Sequence, residues 1–319
     1  FVMIGTAEDH YSNLLKIALS KFKCNGGKLI SINPVRTGYS AIAVEWIPIK
    51  PGTDGALLLA LVHEIIIQGL YDRDFLIQYT NSAQLVNMDE SSTEYGMFVR
   101  FEVPPEEGCF DPQNKLWWDR ELNRPISTHT EGADPYLLGE FRLDDGTPVK
   151  PAFQLLVDRV KDYTPEWASK ITGIPVETIK RLAYEMGIVA RDQKIELPIP
   201  WTDTWGKEHE SVTGNPVAFH AMRGLAAHSN GFHTIRALSI LMSILGTIDR
   251  PGGFRHKAPF PRPIPPCAKT PTGPEGVKPN TPLAGMPLGW PADPDDLFVD
   301  AQGNPVRIDK AFSWEYPLS

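Results

Sequence analysis

The stretch "DGALLLALVHEIIIQ", Asp54 to Gln68, constrains the fold more than any other part of this 319-residue chain. Apolar residues run almost all round the predicted helix, so it must be covered on more than one side. Its unbroken apolar run, Ala56 to Val62, is far short of the ~20 residues needed to cross a membrane. The preceding sequence supplies layers to cover it. Residues 2–5 read as a short buried strand, and a helix from about Asn13 to Lys23 puts Leu14, Leu15, Ala18, Leu19 and Phe22 on one face. Asn25-Gly26-Gly27 ends that helix, and Lys28 to Ile32 forms a second strand. Glu45 to Ile49 forms a third, which Pro48 assigns to a sheet edge. Strand, helix, strand, strand, helix at this spacing predicts an α/β fold with a Rossmann-like parallel sheet flanked by helices.

Between residues 84 and 150 the texture changes to aromatic and β-branched runs ("MFVRFEV", "KLWWD", "LLGEFRL") punctuated by turns such as Asp144-Asp145-Gly146, a β-rich insertion. Helices resume over 152–162, 165–170 and 176–186. A strand is expected over 194–200, and an apolar helix over 233–245 is stopped by Gly246 and Pro251-Gly252-Gly253. Beyond Ala258 the chain holds 14 of its 30 prolines, which predicts an irregular, extended tail over 258–319. The division is an α/β core of 1–83 with 151–257, the insertion 84–150, and that tail.

The net charge of −8 carries no basic surplus, which argues against a nucleic-acid binder. Cys24, Cys109 and Cys267 are too far apart for a CxxC pair or a metal-ligand run, and free thiols favour a reducing compartment. No residue is assigned as a metal ligand. His63-Glu64 would begin a zinc-protease motif, but position 67 is Ile.

The turn "PGTD", Pro51 to Asp54, has two readings. It is a rigid turn whose Thr53 or Asp54 caps the apolar helix, or a strand-end loop whose Asp54 carboxylate accepts two parallel N–H donors, as guanine presents at N1 and its 2-amino group. Asn33-Pro34 likewise is a plain turn start, or a polar strand end that meets a ribose, because ligands of open α/β sheets bind beyond the carboxyl ends of the strands. The first strand-end turn, Gly5 to His10, has a single glycine, against the GxGxxG of an ordinary NAD or FAD site. Residues 222–253, "MRGLAAHSNGFHTIRALSILMSILGTIDRPGG", feed a small-residue polar loop into a buried helix. His220, His228 and His233 are candidate ligands or acid–base groups, but no carboxylate stands at matching sequence spacing.

Together, "LISINPVRTGYSAIAVEWIPIKPGTDGALLLALVHEIIIQGLYDRDFLIQYT" and "GLAAHSNGFHTIRALSILMSILGTIDRPGG" resemble two ordered signatures of the dimethyl sulfoxide reductase superfamily of molybdopterin oxidoreductases. The resemblance covers residues 1–83 and 151–257 and is closest to catalytic subunits of the sulfite dehydrogenase or thiosulfate/polysulfide reductase kind. It implies a molybdopterin guanine dinucleotide carrying molybdenum (or tungsten). Asn33 and Thr37 would then support the guanosine portion. Gly52, Thr53 and Asp54 would line the guanine edge, with Asp54 pairing to it, and Gly5 and Glu8 would lie in the first cofactor-lining turn. Here Thr6-Ala7 stands where relatives have Asn-Pro-Ala. His228, Ser229, Asn230 and Gly231 would lie nearest the metal and substrate funnel, with His228, Asn230 and Arg236 as candidate catalytic groups.

The same resemblance implies a middle segment of a larger catalytic subunit, inactive in isolation. The whole would act on a small molecule, a sulfur oxyanion foremost. An iron–sulfur cluster is expected in a preceding part of the same polypeptide. Partners would be the remainder of that polypeptide, an electron-transfer subunit with iron–sulfur clusters, and a subunit that serves as membrane anchor. Cytoplasmic or membrane-associated placement is favoured, with the periplasm as the alternative. Two other classes stay open: a Rossmann-type nucleotide-binding dehydrogenase domain, and a non-enzymatic interaction domain whose strand-end loops are only turns and caps.

Overall fold

The computed structural model describes residues 1–5, 13–36, 38–101, 114–128, 130–202, 208–221 and 223–254. Glu8, Thr37, Cys109, Cys267 and the expected proline-rich tail lie outside the described residues. The chain opens with β1 (Val2–Ile4), α1 (Asn13–Cys24), β2 (Ile30–Ile32), α2 (Tyr39–Ile42) and β3 (Glu45–Ile47), then the long apolar α3 (Asp54–Ile67) and the short α4 (Arg73–Tyr79). The β-rich excursion supplies β4 (Leu85–Asn87), β5 (Leu116–Trp118), β6 (Pro125–Ser127), β7 (Phe141–Arg142) and β8 (Pro148–Pro151). Helices α5 (Ala152–Val160), α6 (Pro165–Thr172) and α7 (Val176–Asp192) follow. Four short strands come next: β9 (Ile195–Leu197), β10 (Trp201–Thr202), β11 (Glu208–His209) and β12 (Val212–Gly214). The last elements are β13 (Phe219–Ala221), the single-turn α8 (Arg223–Ala226) and α9 (Gly231–Ile244).

One parallel sheet, in the order β13-β1-β2-β3, organises the core. β3 is an edge strand, as Pro48 requires. β13, which no sequence pattern announces, comes from the far end of the described chain to pair with β1, Val2 opposite Phe219. The strand expected over 194–200 forms as β9, but it pairs antiparallel with β12, outside the parallel sheet. The excursion forms an antiparallel sheet, β4-β8-β7, and a hairpin, β5-β6. Trp118 stacks on Phe141 at 4.6 Å, and Arg73 of α4 bonds to the Pro135 carbonyl (2.9 Å) and pairs with Asp134.

α3 is enclosed by α5, α6, α7 and α9. Leu57, Leu58, Leu61 and Ile65 are fully buried on it. Full burial of each contributes roughly 1.5–3 kcal/mol, so this helix is the main apolar anchor. Two of its three polar residues are satisfied locally: His63 Nδ1–H donates to the Val160 carbonyl (3.0 Å) and Glu64 accepts from Gln68 (2.9 Å). α1 buries Leu19, but Phe22 is one-third exposed, because its ring lies at the helix end against Phe1 and over Gly27.

The exit from α3 is tied to the exit from α9 by a buried polar cluster. Asp72 caps α4 through the Phe75 N–H (2.9 Å) and also accepts from Asn215 (2.9 Å) and Lys194 (3.4 Å). Asn215 donates to the Leu245 carbonyl as well (2.9 Å). Burial works to raise the Asp72 pKa, but the Phe75 N–H, Asn215, Lys194 and Arg250 outweigh it and hold the carboxyl below its usual range. Gly246, at φ +65°, closes this cluster: a Cβ there would lie 2.7 Å from Asn215 Nδ2 and 2.9 Å from Asp72. Gly246→Ala therefore carries both a left-handed backbone cost and a clash with buried polar atoms. We expect a loss of ~2–3 kcal/mol in urea unfolding, with an unchanged denaturant slope.

Candidate functional site

Every strand of the parallel sheet ends on the same side, so the segments that follow β1, β2, β3 and β13 meet at one edge. Two of these junctions are welded by glycines. Gly5, at φ +61° just after β1, lies so close to Gly224 that a Cβ on Gly224 would sit 2.0 Å from the Gly5 carbonyl oxygen. A Cβ on Gly231 would sit 2.0 Å from the Ala226 carbonyl. No side chain fits at either place, so the loop from α8 to α9 is pressed onto the end of β1 and folded tightly on itself.

That loop reaches the Pro-Gly-Thr-Asp turn. Asn230 Nδ2–H donates to the Gly52 carbonyl (3.3 Å), across 178 positions of sequence. His228 Nε2–H donates to the Gly224 carbonyl (2.8 Å), which leaves Nδ1 facing Gly52, 3.7 Å from where its Cβ would be. Gly52 itself is at φ +76°, a conformation that suits glycine. Gly55 on α3 faces Thr234 of α9, its Cβ position 3.1 Å from Thr234 Oγ1. A crevice of about 270 Å³ opens beside this junction, lined by Gly52, Thr53, Asn230 and His233 with Trp167 and Ile171 of α6.

Asp54 begins α3 and is buried, 5% exposed. Its carboxylate accepts from its own backbone N–H, and no other donor among the described residues reaches it. A carboxylate has acceptor capacity for about four hydrogen bonds, so most of it is unused. Burial raises its pKa above the usual 3.8; its own N–H and the nearby His228 ring offset part of that. Thr53 does not cap α3 as expected. Its hydroxyl donates instead to the Lys50 carbonyl (2.7 Å), which tightens the turn ahead of the helix.

Asn33 ends β2 and is 5% exposed. Its Oδ1 accepts from the Val35 N–H (3.4 Å) and its carbonyl from Trp46 Nε1 (2.9 Å), so it builds the Asn-Pro turn and fixes β2 to β3. Ser229 is exposed in the loop, Gly231 is buried at the start of α9, and Arg236 is exposed one turn beyond Phe232. The structure thus brings Gly5, Gly52, Thr53, Asp54, His228, Asn230 and Gly231 to one edge, with Asn33 beneath it. Sequence reasoning missed Gly224, whose contact with Gly5 fixes the loop. The signal was there in "MRGLAAHSNG", where two glycines bracket the polar residues. Among the described residues no cluster of His, Cys, Asp and Glu could hold a metal ion, and no helix is long and apolar enough to cross a membrane.

Comparison with protein families matches residues 1–289 to the molybdopterin oxidoreductases. The chain belongs to that family. The sulfite dehydrogenase A subunit of Allochromatium vinosum is 73% identical over 319 residues, all of this chain and 33% of that protein. The perchlorate reductase alpha subunit of Dechloromonas aromatica is 36% identical over 196 residues, 52% of this chain and 21% of that one. The catalytic A subunit of a putative dimethyl sulfoxide reductase of Halobacterium salinarum is 32% identical over 162 residues, 50% and 18% respectively. This molybdopterin oxidoreductase chain spans a third or less of the length of these relatives.

Because burial penalises the ionised form of Asp54, that carboxylate costs stability above its folded pKa and nothing below the unfolded value near 3.8. Asp54→Asn should therefore raise the melting temperature of the ligand-free chain at pH 7. Calorimetric scans from pH 7 down to pH 4 should show the gain shrinking toward zero.

Proposed function

We propose that this sheet edge grips the guanine-nucleotide end of a molybdopterin guanine dinucleotide, within the catalytic subunit of a molybdenum or tungsten oxidoreductase. The observation that carries the reading is Asp54: a buried carboxylate with spare acceptor capacity, in the turn that a loop 178 positions away in sequence reaches. A largely buried carboxylate is costly to keep ionised, and donors from a ligand would offset that cost. Two N–H groups on one planar edge would meet both of its oxygens, as guanine does at N1 and its 2-amino group. Gly52 gives the base room beside the turn, Thr53 holds that turn shut from below, and Asn33 sets the height of the neighbouring strand end. The Gly5–Gly224 weld keeps His228, Ser229 and Asn230 over the same crevice, and exposed Arg236 adds positive charge for an anionic substrate.

The cofactor supplies two-electron redox or oxygen-atom chemistry when bound, while the protein supplies binding, orientation and electrostatics. A sulfur oxyanion is the proposed substrate, supported by the 73% identity to a protein whose name is that of a sulfite dehydrogenase. The relatives are named as single lettered subunits, which supports assembly with further ones. These are proposed here as an iron–sulfur electron-transfer protein and a membrane anchor.

Titration calorimetry of the chain with GMP and AMP tests the core of this reading. GMP should bind more tightly, and Asp54→Ala should erase the preference, because two charge-assisted hydrogen bonds at ~1.5–3 kcal/mol each are removed. Equal affinities for the two nucleotides in the unaltered chain would overturn it.

A further inference from the structure

The Arg250-Pro251-Gly252-Gly253 turn takes no part in the site at the sheet edge. It follows the end of α9, whereas that site meets its start, and a helix of 14 residues is ~20 Å long. Backbone bonds close the turn. The Asp249 N–H donates to the Phe254 carbonyl (2.8 Å), the Phe254 N–H to the Thr247 carbonyl (2.9 Å) and the Gly253 N–H to the Arg250 carbonyl (3.0 Å). Arg250 thus stands on a pinned backbone. Its guanidinium lies over two rings of α4, 5.2 Å from the Phe75 centroid and 5.6 Å from that of Tyr79. A cleft of about 630 Å³ opens at this point, and the β10–β11 hairpin contributes to its lining. There Trp201 and His209 are paired across the hairpin and stack 4.5 Å apart, 14° from parallel. Trp201 Nε1–H is already donated to the Ser211 carbonyl (2.9 Å), so the indole has only its ring left to offer. The hydroxyls of Ser211 and Thr213, which also line the cleft, both donate to Glu196 (3.2 and 2.6 Å).

Among the described residues that line the cleft, Arg250 is the only lysine or arginine. Its guanidinium makes no hydrogen bond or ion pair among the described residues. The buried Asp72 carboxylate attracts it, but that carboxylate already accepts from the Phe75 N–H, Asn215 and Lys194. A guanidinium has five N–H donors in one plane, matched to the two oxygens of a carboxylate. The exposed Asp249 also lines the cleft and weakens its pull on a bare anion, so charge alone is a poor basis for binding here. The rings supply the rest: Tyr79 and Trp201 leave 47% and 36% of their surface exposed. We propose that this cleft is a second binding site, for a planar aromatic carboxylate whose ring packs on Trp201 and Tyr79 and whose two oxygens meet Arg250. Its volume is within the ~300–1,000 Å³ of small-molecule sites. The assignment does not rest on the guanine reading.

The test uses the full chain and three probes: 2-naphthoate, with ring and charge; 2-naphthalenemethanol, with the ring alone; and cyclohexanecarboxylate, with the charge alone. Nitrogen-15 NMR follows the Trp201 indole N–H, identified as the signal that Trp201→Leu removes. Naphthoate should shift that signal saturably and bind about tenfold more tightly than either of the other probes. Calorimetry with variants then assigns the contacts. Arg250→Gln should weaken naphthoate about tenfold or more and leave naphthalenemethanol unchanged, while Arg250→Lys should keep part of the affinity. Trp201→Leu should weaken both ring-bearing probes about two- to tenfold. Asp54→Ala, at the sheet edge, should change none of these affinities. Should Arg250→Gln fail to fold, Arg250→Lys and Trp201→Leu still decide the matter. No saturable shift of the Trp201 signal overturns the site. Equal affinities for the three probes, or naphthoate binding that survives the Arg250 and Trp201 variants unchanged, overturns the assignment of its ligand class.

Discussion

A helix with no polar face cannot rest on the surface of a protein, and the burial of α3 sets the positions of the elements around it. Four helices wrap it, so α5, α6, α7 and α9 are drawn from downstream sequence to one centre. Once α3 is fixed along its length, its first residue is fixed too. Asp54 is therefore carried into the interior by the leucines that follow it, and a carboxylate is placed where hydration is poor. The unusual electrostatics of the candidate site is a consequence of apolar packing one turn away, more than of any charged partner.

The same helix explains how two remote motifs come together. α9 lies along α3, and the contact of Gly55 with Thr234 sets how closely the two starts approach. The turn before α3 and the loop before α9 must then meet. The glycine pair at positions 5 and 224 adds a third fixed point at the end of β1. Three anchored loops leave little freedom at the crevice, which is the condition for recognising a flat, rigid ligand edge.

Much of this was legible in the sequence because it rests on long periodic or strongly punctuated segments. α3 announces itself by composition, its start by Pro51-Gly52, and the edge position of β3 by Pro48. The parallel sheet with covering helices was readable at the level of class. The partners of the short strands were not. β13 is three residues long and has no period to detect, and only its pairing with β1 makes it a strand. β9 is legible in sequence as a strand, but its antiparallel partner β12 is a choice made by tertiary packing. At the site, Asp54 and Asn33 were singled out by residue type and position. Their burial could not be read from type alone, because it depends on which loops cover them. Thr53 shows the same limit: a hydroxyl at an N-cap has a carbonyl three residues back as a rival partner, and only geometry decides between them.

The pairing of β1 with β13 has a consequence for how such a chain is made. Val2 and Phe219 are 219 − 2 = 217 positions apart, so during synthesis β1 waits for this neighbour while 217 further residues are added. Over that interval one edge of β1 offers unpaired backbone groups to any extended segment nearby. Closing so long a loop is slow, which makes this sheet a point where a holding chaperone, or early docking of the covering helices, would guard against misassembly.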